Sequence, residues 1–262
     1  MHQYLFFIGN FPIRLYGIFF SLGIISGCIT AYFLLKKDRR GWESHMFDLG
    51  LVIAFAGIVG GRLWDVFFFD WEYYHNHLLE IPYIWQGGMA IQGGIIFACI
   101  AAYFYLKKHQ IPVLPFADIV TPGIILGQAI GRIANFMNGD AFGHPTGQDF
   151  GLLYPDTTLA YHTYGAQPLW PAEVWECQGD LLIFVLLLWY GCKTRAEGTT
   201  FCLYIMFYSL LRFFLENYRG DYGTLALGLK SAQLTSLTAF AGAFILFLYF
   251  HFKHKSKSGI SE

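Results

Sequence analysis

Apolar residues run along this chain in blocks of about 20, the length a helix needs to cross a ~30 Å hydrocarbon core. Seven such blocks are read, at 14–35, 47–69, 88–106, 115–137, 171–192, 199–217 and 232–252. The pattern predicts an all-α membrane protein, one seven-span domain over 1–262, with seven transmembrane helices. The fourth block is the least hydrophobic, and it leads into a polar stretch that carries arginine and asparagine. Neither an internal repeat nor a low-complexity segment is visible, apart from a short basic tail at 253–262.

Basic residues fix the expected orientation. Lys36, Lys37, Arg39 and Arg40 follow the first block, Lys107 and Lys108 the third, Lys193 and Arg195 the fifth, and Lys253, Lys255 and Lys257 the seventh. These are most of the chain's 17 Lys and Arg, and all follow odd-numbered blocks. The positive-inside rule makes those ends cytoplasmic, so the N-terminus is expected outside and the tail inside. The longer polar stretches, 70–86, 138–170 and 218–231, then fall on the outer side.

Composition agrees. The 262 residues are 55% hydrophobic and 13% charged, where a soluble domain carries about 25% charged residues. Aromatics at 19% suit a lipid-facing wall with interfacial belts. Mean hydropathy is +0.44. The five cysteines (Cys28, Cys99, Cys177, Cys192, Cys202) lack metal-ligand spacing and sit in or beside apolar blocks, so they read as small buried hydrophobes. The N-terminus has no basic region followed by a small-residue cleavage site, so the first block is expected to remain in the protein.

The chemistry concentrates in Gly131-Arg132-Ile133-Ala134-Asn135-Phe136-Met137-Asn138-Gly139-Asp140-Ala141-Phe142-Gly143. It carries a cation from bilayer depth to the water boundary. Such a charge costs about 2.5–3.5 kcal/mol on insertion scales and needs a partner or a wet cavity. Arg62, Asp118, Glu176, Arg212 and Glu216 also stand in or at the edges of apolar blocks. Arg212, Glu216 and Arg219 are spaced i, i+4, i+7, on one helical face. That face is either a self-paired structural stripe or a glutamate orienting two guanidinium groups whose other donors stay free. Arginine binds phosphate in bidentate fashion, so Arg132 and Arg212 could clamp one phosphate, with Asp118 and Glu176 as counter-charges. For Arg62, structural pairing is the default. The site asks for an anionic, phosphate-bearing substrate in the lipid. A phospholipid meets that description, and transport of a soluble anion meets it nearly as well.

The thirteen-residue stretch closely resembles the signature of the prolipoprotein diacylglyceryl transferases. The resemblance extends over nearly the whole chain, through Tyr16-Gly17, Gly60-Gly61-Arg62, Gly87-Gly88-Met89, Gly93-Gly94, Ala117-Asp118, Pro122, Pro171, Glu176 and Arg212 to Arg219. It implies a bacterial inner (cytoplasmic) membrane enzyme with seven spans, short periplasmic loops (138–170 among them), a periplasmic N-terminus and a cytoplasmic tail at 253–262. The reaction implied is transfer of the diacylglyceryl group of phosphatidylglycerol to the lipobox cysteine thiol of a preprolipoprotein, with release of glycerol 1-phosphate. Its partners are those two substrates and the lipid bilayer, with no nucleic acid, metal or cofactor. Carried onto this sequence, the resemblance assigns Arg132, Arg212, Glu176 and Glu216 to the chemistry. It assigns Tyr16, Gln92, Gly93, Gly94, Asp118, Asn135, Asn138, Asp140, Gly143 and Arg219 to substrate binding.

Four positions depart from the family pattern. Gln92-Gly93-Gly94 stands where the family reads His-Gly-Gly, and a glutamine cannot accept a proton at neutral pH. Asp140 replaces a glutamate. Trp170-Pro171-Ala172-Glu173-Val174-Trp175-Glu176 replaces a His-Pro-x-Gln-x-x-Glu pattern. These changes leave three alternatives open beside the family reaction: another base (Glu173, Glu176 or His144), a divergent paralogue with another acceptor, or a catalytically silent phospholipid-binding protein.

Overall fold

The computed structural model describes residues 3–9, 11–191, 196–220 and 228–258. An antiparallel hairpin, β1 (Tyr4–Ile8) and β2 (Phe11–Arg14), which the hydropathy pattern does not predict, leads into α1 (Leu15–Asp38). Next come α2 (Met46–Trp64), a π-helical turn at Asp65–Phe69, the single turn α3 (Trp71–Tyr74) and α4 (Ile91–Lys108). The remaining helices are α5 (Val113–Asn138), α6 (Leu159–Tyr164), α7 (Ala172–Gly191), α8 (Thr199–Leu215) and α9 (Ser231–Ser258). Each of the seven apolar blocks becomes one long helix, with ends displaced by a few residues. Among the described residues, four helical stretches are long and apolar enough to cross a membrane: α1, Trp42–Phe69 around α2, α5 and α9. The 17-residue α8 is apolar but shorter. Cys192, Lys193, Arg195 and residues 259–262 of the basic tail lie outside the described residues.

The chain divides into two compact units. The first combines residues 1–34 with 117–262 and so holds most of α1 and of α5, and α6 to α9. Here α1 and α5 meet through two pairs of glycines spaced i, i+4. A Cβ on Gly23 would stand 2.7 Å from the carbonyl oxygen of Gly127, and one on Gly27 2.7 Å from that of Gly123. In lipid, where apolar burial gives no drive between helices, association relies on such close backbone approach. Ile125, Ile183 and Leu187 are buried together among Leu203, Tyr204 and Phe207, joining α5, α7 and α8. Pro122 interrupts the hydrogen-bond ladder of α5.

Segment 139–171 is a folded cap rather than an irregular loop. It buries its own core of Phe142, Tyr154, Ala160 and Leu169, and its backbone pairs at Pro145–Leu169 and Leu152–Leu169.

The second unit, 35–116, is built on α2 against α4. Gly60 faces Gly93, where an added Cβ on Gly60 would lie 2.6 Å from the Gly93 carbonyl oxygen; one on Gly94 would lie 3.3 Å from that of Gly57. The geometry thus gives Gly93 and Gly94 a packing role. Gln92 is exposed in the first turn of α4. Arg62 follows its structural default, though its partners are mainly backbone. It donates to the carbonyls of Ile81 (2.7 Å), Gly87 (2.8 Å), Gly88 (3.0 Å) and Glu80 (3.1 Å) and to the Tyr74 hydroxyl (3.0 Å), tying residues 74–88 to the end of α2.

Candidate functional site

Three helices of the first unit each turn one polar stripe toward the others, at the spacings that put side chains on a single helical face. On α5 the stripe is Gln128, Arg132 and Asn135; on α7 it is Glu173, Glu176 and Asp180. On α8 and the turn beyond it lie Tyr204, Tyr208, Arg212, Glu216 and Arg219. Their hub is Glu176, which is fully buried. Its Oε1 takes Arg132 Nη2 at 2.9 Å and its Oε2 takes Arg212 Nη1 at 3.3 Å, with Arg219 Nη1 at 3.6 Å. Tyr208 donates its hydroxyl to Glu176 Oε1 at 3.1 Å and accepts from Arg132 at 3.4 Å. Arg212 is held on its other side by Glu216, at 2.7 Å.

Arg132 is positioned by the motif it belongs to. Its Nη1 donates to Asn135 Oδ1 (3.1 Å); Asn135 Nδ2 donates to Asp140 (2.7 Å), whose second oxygen accepts from Asn138 (2.9 Å). Gly139 makes this possible at φ +71, where the chain leaves α5 and turns Asp140 back on the last helical turn. Gly143 then pairs with Arg219 as a β-bridge and donates to the Trp170 carbonyl at 3.1 Å, while the Gly220 N–H reaches the Phe142 carbonyl at 3.1 Å. A Cβ on Gly143 would meet Trp170 Cβ at 2.6 Å, so this position admits no side chain.

Beside the cluster lies a cavity of about 270 Å³ lined by Arg132, Ile133, Phe136, Glu173, Val174, Cys177 and Gln178. The buried Nε of Arg132 has no hydrogen-bond partner among the described residues. The side chains of Arg132 and Arg212 are 19% and 13% exposed, against 5% for Arg219. Arg132 and Arg212 are thus the more exposed of the three. Tyr16, on α1, is 36% exposed and lies within electrostatic range of Asp140 and Arg132.

Of the expected site residues, the structure brings Arg132, Arg212, Arg219, Glu176, Glu216, Asn135, Asn138, Asp140 and Gly143 together, with Tyr16 in range. Asp118 is not among them. Its carboxylate accepts the backbone N–H of Gly198 (2.5 Å) and of Phe201 (2.8 Å), capping the start of α8. Asp118 precedes Arg132 by about 21 Å of helix at 1.5 Å per residue. It is an anchor at the opposite end of the bundle. Gln92, Gly93 and Gly94 belong to the second unit. His144 turns a ring nitrogen to the Pro145 carbonyl at 2.9 Å.

Several members of the network were not expected. The i, i+3, i+7 spacing of Glu173, Glu176 and Asp180 is the signal that could have found the α7 stripe. Tyr154, whose hydroxyl donates to Glu173, and Tyr208 had no comparable mark, since partners from distant segments define them.

Comparison with known proteins places this geometry in context. The family model described as prolipoprotein diacylglyceryl transferase matches residues 3–249. A phosphatidylglycerol–prolipoprotein diacylglyceryl transferase of Clostridium botulinum (strain Langeland) is 35% identical over 238 residues, covering 90% of this chain and 92% of that protein. Proteins of the same name from Staphylococcus saprophyticus and Geobacillus kaustophilus are 36% and 37% identical over 234 residues. Each covers 88% of this chain, and 82% and 86% of the relative's own length.

Proposed function

The chain belongs to the prolipoprotein diacylglyceryl transferase family, and on that premise we infer that it moves the diacylglyceryl group of phosphatidylglycerol onto the cysteine thiol of a prolipoprotein. The observation that carries the residue roles is the gathering of three arginines on one buried carboxylate beside a cavity. The attacking sulfur forms a C–S bond to the glyceryl carbon as the C–O bond to the phosphate breaks, and its electron pair leaves with glycerol 1-phosphate. The phosphate gains charge as it leaves. Arg132 and Arg212 meet that charge, the stabilisation that matters most when aimed where charge develops. Glu176 and Glu216 keep both guanidinium groups in place, and Asn135, Asn138 and Asp140 hold Arg132 from the motif side. Tyr16 contributes at the rim near the headgroup.

We further infer a bacterial cytoplasmic-membrane location with seven spans, the N-terminus and segment 139–171 periplasmic and the C-terminus cytoplasmic. Support comes from the basic ends of α1 and α4 and the basic residues near the end of α9.

Purified protein given phosphatidylglycerol and a lipobox peptide should yield peptide heavier by the diacylglyceryl mass. Arg132→Ala and Arg212→Ala should each lower turnover roughly 100- to 1,000-fold, the cost of removing one donor to a developing charge. Unmodified peptide from folded protein would overturn the reaction assigned. Wild-type turnover in either arginine variant would overturn the clamp.

A further inference from the structure

The reaction needs a group to take the thiol proton, and the residue that corresponds to the family histidine is Gln92, an amide with no basicity at neutral pH. The structure offers another acceptor. Glu173, in the first turn of α7, is fully buried, and it lines the cavity that Arg132 also lines. Its two oxygens differ. Oε1 accepts the Tyr154 hydroxyl, while Oε2 is buried and takes no hydrogen bond from another of the described residues. A buried polar atom left bare is costly, so each one calls for an explanation.

The neighbouring carboxylates are already engaged. Glu176 holds Arg132 and Arg212, and Asp140 holds Asn135 and Asn138. Asp180, which also keeps an open oxygen, lies two turns deeper, facing Gln128, and is not on the cavity wall.

We propose that Glu173 is the general base of this enzyme, taking the acceptor cysteine's thiol proton on Oε2 while Tyr154 fixes Oε1. The assignment rests on the transferase reading above. The S–H bond breaks with its proton going to Glu173 and its electrons staying on sulfur. The sulfur then attacks the glyceryl carbon, and the carboxylic acid gives the proton to the departing phosphate monoester or to water.

Tyr154 suits the positioning part. Burial, and then the negative charge of Glu173, push its phenol above the ordinary tyrosine range, so it remains a donor throughout the working pH. The other charged or titratable groups facing Glu173 are Arg132 from α5, Arg219 from beyond α8, Asp140 from the cap, and Cys177 on its own helix.

The test is Glu173→Gln, which keeps the side chain's size. The Glu173→Gln enzyme, assayed by peptide mass from pH 6.5 to 9.5, should lose at least about 100-fold in kcat near pH 7, the lower bound of general-base effects. Its KM for phosphatidylglycerol should stay unchanged. The deficit should shrink toward pH 9.5, because a free thiol ionises unaided near pH 8.5. Tyr154→Phe should lose at least about tenfold, the lower bound for one hydrogen bond to a charged group. Wild-type kcat in Glu173→Gln, or a loss equal at every pH, would overturn the assignment while leaving the transferase reading intact. A wild-type enzyme that modifies no peptide would overturn both.

Discussion

Glu176 decides what the three arginines can do. Buried completely, it balances Arg132 and Arg212 directly and stands 3.6 Å from Arg219. Removing one partner of a buried ion pair costs about 3–5 kcal/mol, because it strands the remaining charge. Glu176→Ala should therefore lower the thermal midpoint in detergent. Inorganic phosphate should then raise the variant's midpoint by more than the wild type's, since an anion can occupy the position the carboxylate left. Equal responses of the two proteins to phosphate would show that these guanidinium groups do not form an anion site. The Arg212, Glu216, Arg219 face was legible in the sequence, because helical spacing alone places the three together. Asp118 was misplaced by the same kind of reasoning: being on one helix with Arg132 does not put it near Arg132, and its carboxylate serves the start of α8 instead. Tyr154 and Tyr208 could not be read, since their meaning comes from partners in other segments.

The long helices were the most legible part of the fold, because each is dictated by local composition. What joins them was not. The hairpin β1–β2 has only nine strand residues, and the cap 139–171 folds through long-range pairs such as Leu152–Leu169. The motif's two bordering glycines show how differently one residue type is used across an element. Gly131 lies within α5 with nothing inside 4 Å of an added Cβ, whereas Gly143 leaves no room beside Trp170. Gly131→Ala should keep the thermal midpoint or raise it, alanine being up to about 1 kcal/mol better in a helix. Gly143→Ala should destabilise by about 1–3 kcal/mol, the cost of overpacking a closed site. Thermal unfolding of both variants in detergent checks this. A Gly143→Ala protein as stable as wild type would mean that the cap can shift off α8 without penalty.

Across the first unit, helix ends gather in two places. The start of α5 and the start of α8 lie at one end, joined by Asp118 to Gly198 and Phe201. The end of α5, the start of α7 and the end of α8 meet at the other end, through Arg132, Glu176 and Arg212. The N-terminal hairpin belongs to that same end, where Gln3 Nε2 donates to the Asn138 carbonyl at 3.0 Å. On the orientation inferred above, the arginine cluster faces the periplasm. A thiol on a translocated substrate can reach a cluster only on that side. In intact spheroplasts, a cysteine placed at Gln148, exposed in the cap, should react with a membrane-impermeant maleimide, and one placed at Lys253 should react only after lysis. The native cysteines, measured in the parent protein, set the background. Reversal of the two labelling patterns would invert the topology and leave the arginine cluster facing the cytoplasm, out of reach of a translocated lipoprotein.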